Sequence, residues 1–129
     1  MNKSPLLYAL LLPLSSCVFG PDFTGSWEGT CEASSSGYTA VYKLEIDIDD
    51  DSGGEIQGNG NMTFDGYTVA GDVDGSTDGD NAEIVLELIH SGYKLEVELD
   101  GILNGDTIKG DCTLMASGYY IDGEFKLKR

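Results

Sequence analysis

Apolar residues recur at every second position through most of this chain, and nowhere at helical spacing. Eight such rows follow one another. The first is Gly25, Trp27, Gly29 and Cys31, and the second Ala40, Tyr42, Leu44, Ile46 and Ile48. Next come Ile56, Gly58, Gly60, Met62 and Phe64, then Tyr67, Val69, Gly71 and Val73. The fifth row is Ala82, Ile84, Leu86 and Leu88; the sixth is Tyr93, Leu95, Val97 and Leu99, reaching toward Leu103. Ile108, Gly110, Cys112 and Leu114 form the seventh, and Tyr119, Ile121, Gly123, Phe125 and Leu127 the eighth. Polar residues fill the intervening positions, so each row predicts a strand with one buried and one solvated face. Antiparallel sheets have that form.

The joints between rows are turn sequences. Ser36-Gly37, Asp65-Gly66, Ser91-Gly92, Asn104-Gly105-Asp106 and Ser117-Gly118 supply the glycines that tight hairpins need, while Asp49–Gly54 and Asp74–Asp80 read as longer loops. Gly-Tyr opens every second strand, at Tyr38, Tyr67, Tyr93 and Tyr119, with spacings of 29, 26 and 26 residues. Ile56-x-Gly58-x-Gly60-x-Met62 superimposes on Ile108-x-Gly110-x-Cys112-x-Leu114, and Val69-x-Gly71-x-Val73 on Ile121-x-Gly123-x-Phe125. Four hairpins of one kind predict an all-β, eight-stranded antiparallel up-and-down barrel over residues 23–129. A β-sandwich with the same meander is the alternative.

Phe23-Thr24-Gly25-Ser26-Trp27 resembles the Gly-x-Trp signature on the first strand of lipocalins, in which the tryptophan plugs the barrel floor. Avidins open with a similar strand. The resemblance implies a lipocalin-like barrel. The chain departs from both groups, with a single tryptophan, no C-terminal helix and no further lipocalin motif. Fold alone does not imply a function.

Ahead of the barrel, Met1-Asn2-Lys3-Ser4 and the apolar run Pro5–Leu14 have the order of a secretory signal. Ten residues span only about 15 Å as a helix, half of a hydrocarbon core. Leu14-Ser15-Ser16-Cys17 resembles the lipobox of bacterial lipoproteins. That resemblance implies a cleaved segment 1–16, acylation (palmitate among the chains) at Cys17, and a short tether over residues 17–22. Val18, not aspartate, follows the cysteine, which by the same resemblance implies the outer membrane of a Gram-negative bacterium. Without Lys3, six basic side chains face 23 acidic ones, a net charge of −17. Such a surface excludes nucleic acid and electrostatic adhesion to anionic lipid, so membrane attachment would fall to the lipid anchor.

With Cys17 assigned to lipid, Cys31 and Cys112 remain, and an exported compartment suits one disulfide between them. Two cysteines without a neighbouring histidine make a poor zinc site. The bridge strains the barrel prediction: the eighth strand separates the two, next-nearest strands stand about 9–10 Å apart, and disulfide Cα atoms want about 5.5–6 Å.

Candidate chemistry is sparse. The inward rows, with Trp27, Tyr42, Leu44, Phe64, Leu86, Leu95, Val97 and Phe125, would line a cavity for a small hydrophobic ligand if glycines leave room. A filled core, with glycines letting the barrel coil, is the favoured reading. Asp74, Asp78 and Asp80 lie in a stretch like the first half of an EF-hand loop, but Val85 stands where its bidentate glutamate belongs, so calcium is only a weak expectation. His90 is the lone histidine, with no nucleophile or paired carboxylate to serve. No enzyme activity and no cofactor are expected. The expected function is a non-catalytic structural or protein-interaction role at the bacterial surface, weakly favoured by outward Val85, Ile89 and Ile102. The alternatives are a carrier of a small hydrophobic ligand and, more weakly, a calcium-binding module.

Overall fold

A computed structural model describes residues 21–129. The expected signal segment, Cys17 and most of the expected tether lie outside the described residues. Eight strands run in order: β1 (Gly25–Ser35), β2 (Tyr38–Asp50), β3 (Glu55–Phe64), β4 (Tyr67–Asp78), β5 (Asn81–His90), β6 (Tyr93–Asn104), β7 (Thr107–Ala116) and β8 (Tyr119–Lys128). Each pairs antiparallel with the next, and β1 pairs with β8, from Glu28↔Lys128 to Ala33↔Gly123. The meander is therefore a closed barrel, not a sandwich, and closure leaves no unpaired sheet edge. Its ladders, disulfide and core all come from within residues 22–129.

Two kinds of turn divide the barrel into two ends. Ser36-Gly37, Asp65-Gly66, Ser91-Gly92 and Ser117-Gly118 join β1–β2, β3–β4, β5–β6 and β7–β8, and both residues of each pair have positive φ. Such turns match the right-handed twist of the flanking strands and hold the hairpin register. They sit together at one end, here called the mouth. At the opposite base, β4 and β5 meet at Gly79-Asp80 and β6 and β7 at Gly105-Asp106. There the Leu103 N–H donates to the Asp80 carbonyl and the Arg129 N–H to the Asp106 carbonyl, lashing each turn to a neighbouring strand.

The segment expected as the loop Asp74–Asp80 is mostly strand. Asp74 pairs with Val85 and Asp78 with Asn81, so only Gly79-Asp80 turns. Asp49–Gly54 is irregular: the β2–β3 register shifts between Ile48 and Asp50, and a 3-10 turn spans Ser52–Gly54.

Cys31 and Cys112 are bridged, with Cα atoms 6.2 Å apart across 81 residues. A flat sheet would forbid this, and Gly123 removes the difficulty. It pairs with both Cys112 and Ala33, and a Cβ there would stand 2.0 Å from the Glu32 carbonyl oxygen. Without a side chain on β8, β1 folds over its inner surface and approaches β7. At Gly29 the relation reverses, a Cβ there meeting the Lys126 carbonyl at 1.7 Å. The seam is thus sharply coiled, and inward glycine provides the coiling.

Candidate functional site

The base of the barrel is shut. Trp27 is buried on β1, and Phe23, just ahead of the strand, is buried beside it in the same core. The Trp27 indole N–H donates to the Phe23 carbonyl at 2.8 Å, and the Phe23 N–H donates to Asp51 Oδ2 at 2.7 Å. Arg129 completes the closure. Its guanidinium stands 4.5 Å from the Trp27 ring centroid, a cation–π contact, and donates to the carbonyls of Asp22 and Thr24 and to Asp106 Oδ1. The Thr24 hydroxyl, then the Thr24 N–H, and the nearby guanidinium hold the Asp22 carboxyl below the usual carboxylate range. Asp50 is likewise lowered, by the Ser52 N–H. The expectation that the tryptophan plugs one end is met, with an arginine as its cover.

Above the base the barrel is filled by Leu44, Ile46, Ile84, Leu86, Leu88 and Leu99, all essentially inaccessible to water. The mouth is different. A cavity of about 420 Å³ opens there, formed by the inward residues nearest the mouth on β2 through β8. Its wall is apolar: Met62, Val69, Leu95, Leu114, Ala116 and Ile121. Tyr42, Phe64, Tyr67 and Tyr119 add aromatic rings, with Tyr42 stacked on Phe64 at 4.6 Å between centroids. Burial pushes the Tyr42 phenol upward from its ordinary pKa, and neighbouring Tyr38 adds to the effect. Among the described residues, His90 is the one basic side chain on the lining.

The four Gly-Tyr tyrosines crown this opening. Tyr38, Tyr67, Tyr93 and Tyr119 are between 68% and 76% exposed, each following a mouth turn. Charge is distributed oppositely. Among the residues of the four mouth turns Asp65 alone is ionic, whereas Asp22, Asp51, Asp80 and Asp106 gather at the base. The N-terminal segment also enters at the base, through Asp22 and Phe23.

The candidate ligand residues fall into two groups. Tyr42, Phe64 and Leu95 line the cavity. Trp27, Leu44, Leu86, Val97 and Phe125 lie in the packed core below it. None of the cavity-lining residues is glycine, because the inward glycines are occupied by neighbouring backbone, as at Gly29 and Gly123. Val69, Leu114 and Ala116 were not expected as site residues. Alternation marks a residue as inward but not its height along the barrel.

The remaining sequence candidates are dispersed. Asp74 and Asp78 lie four residues apart along one strand, a separation of about 13 Å at 3.3 Å per residue. Strand geometry thus spreads the carboxylates that a loop would have gathered. No group of three or more His, Cys, Asp or Glu side chains that could hold a metal occurs among the described residues. Outward Val85, Ile89 and Ile102 do not form a patch: they pair with Glu98, Lys94 and Asn81 respectively, at three heights of the wall. A second concavity, about 700 Å³, lies on the outer wall over β1, β7 and β8, and is polar, with Lys109 and Lys126 among Glu32, Asp111, Asp122 and Glu124. Comparison with protein-family models, curated proteins and solved structures yields no match to this chain.

Proposed function

We propose that this protein is an exported, lipid-anchored binding protein whose lipocalin-like barrel holds a small hydrophobic molecule at its mouth, without catalysing a reaction. One observation carries the reading: buried apolar side chains fill the barrel below its mouth, and at the mouth an apolar cavity opens to solvent. At about 420 Å³ it lies within the range of pockets that bury small molecules, and it has their composition, apolar walls with few polar groups. Scattered Val85, Ile89 and Ile102 give correspondingly little support to a partner-binding wall. Acylation at Cys17 rests on the lipobox resemblance. The chain reaches the barrel through its base, so an anchor at Cys17 would tether the end opposite the cavity. The Cys31–Cys112 bridge accords with an oxidising compartment.

Native mass spectrometry of residues 18–129, produced in an oxidising host without detergent, tests the binding role. A reproducible co-purifying mass that is lost on denaturation is expected. Bare protein that also fails to take up any added apolar probe would refute the carrier reading. Acylation is tested separately: metabolic labelling with palmitate should mark the full chain and not its Cys17→Ser variant.

A further inference from the structure

We propose that the mouth cavity selects a cationic amphiphile, an apolar body bearing an alkylammonium head, over the corresponding carboxylate. The inference rests on the carrier reading and adds the charge of the cargo. Three observations converge on it. First, among the described residues no lysine or arginine lines the cavity, and the mouth turns carry one charge, the anionic Asp65. Lys94, the nearest lysine along β6, has its ammonium 3.6 Å from Glu87 and 3.8 Å from Glu96 on the outer wall. A fatty carboxylate would thus find no permanent cation among these residues to replace the water it gives up on docking.

Second, aromatic rings stand where a head group would rest. Tyr67 and Tyr119 belong both to the lining and to the exposed crown, while Tyr42 and Phe64 stack just inside. Ring faces attract alkylammonium groups and offer nothing comparable to carboxylates. Third, the domain carries 23 acidic against six basic side chains over residues 21–129, a field that draws cations toward the molecule and repels anions. His90 is the exception among the lining residues.

The test uses residues 22–129, which supply every ladder and the whole core, with the fold checked by NMR dispersion. Decyltrimethylammonium, decanoate and an uncharged decyl glycoside are titrated calorimetrically below their micelle concentrations at about pH 8. The trimethylammonium probe should bind at least about tenfold more tightly than decanoate at low salt. The gap should narrow at about 200 mM salt without closing, because screening removes the long-range field and leaves the ring contacts. Replacing both Tyr67 and Tyr119 by Leu should cut the remaining cation preference, read as the ratio of trimethylammonium to glycoside affinity in the same variant, several-fold. Decanoate binding as tightly as the ammonium, while the glycoside binds, overturns this inference and leaves the carrier reading standing. A preference that salt abolishes, or that the double variant leaves unchanged, overturns the role of the rings. Failure of all three probes overturns the carrier reading and this inference with it.

Discussion

Arg129 offers the most direct test of how the base is held shut. Replacing it with Ala removes the guanidinium from the Trp27 ring and from the carbonyls of Asp22 and Thr24, contacts that join the entering chain to the end of β8. A hydrogen bond from a charged donor contributes about 1.5–3 kcal/mol, and a partly covered cation–π contact about 1 kcal/mol. The side chain keeps 25% of its surface in water, so the hydrogen bonds belong at the lower end. The pair with Asp106, whose own side chain is 74% exposed, adds close to nothing. The expected loss is about 4 kcal/mol, against a total of about 5–15 kcal/mol for a domain of this kind. In melting temperature that is about 16 °C. Chemical denaturation of Arg129→Ala and Arg129→Lys, with Lys94→Ala as a surface control, reads it out. The lysine variant keeps the charge but lacks the planar fork and should recover only about a third of the loss. An Arg129→Ala loss under about 1 kcal/mol would show that Trp27 and Phe23 close the base through burial alone. Full recovery by lysine would assign the effect to charge and refute the argument from geometry.

Other consequences can be measured in the same way. Gly123→Ala places a Cβ 2.0 Å from the Glu32 oxygen and 2.7 Å from the Ala33 Cα, backbone atoms that cannot swing aside. A loss above about 3 kcal/mol is expected, and a variant as stable as the parent would disprove the folded seam. Replacing Cys31 and Cys112 together by Ala frees a loop of 81 residues, which on the chain-entropy argument costs about 4 kcal/mol. The same difference should separate oxidised from reduced parent protein in denaturant, and coincident curves would contradict it. For Tyr42, burial raises the folded-state phenol pKa above the unfolded value. Its contribution to stability is therefore complete below the unfolded value near 10 and is lost as pH rises through the folded one. Absorbance titration should show a late-ionising tyrosine that disappears in Tyr42→Phe and moves later still with the cavity occupied. Titration curves unchanged by Tyr42→Phe would remove the desolvated site.

Much of this architecture was legible in the chain because its determinants are local. A period of two produces a strand wherever it occurs, and a two-residue turn ending in glycine makes a hairpin without help from distant residues. The strand order, the four mouth turns and the inward assignment of Trp27, Leu44, Leu86 and Phe125 follow from those signals. The Asp74–Asp80 stretch misled because Asp, Gly and Ser are turn residues by propensity. Pairing on both sides, with β3 and β5, overrides that propensity.

What only the tertiary structure decided is the height of each inward side chain and the meeting of distant segments. Alternation gave Tyr42 and Leu44 the same inward face, yet one lines the cavity and the other lies in the sealed core. Strand tilt and stagger set that difference, and a one-dimensional pattern does not contain them. Closure of β1 onto β8 depends on Gly29 and Gly123, each of which yields its side-chain space to the other strand's backbone. That same folding brings Cys31 to Cys112, and Arg129 over Trp27 closes the base. With the base closed and the core filled, the mouth is where the barrel holds open space, because there the inward rows end in exposed tyrosines and none of the described residues packs across them.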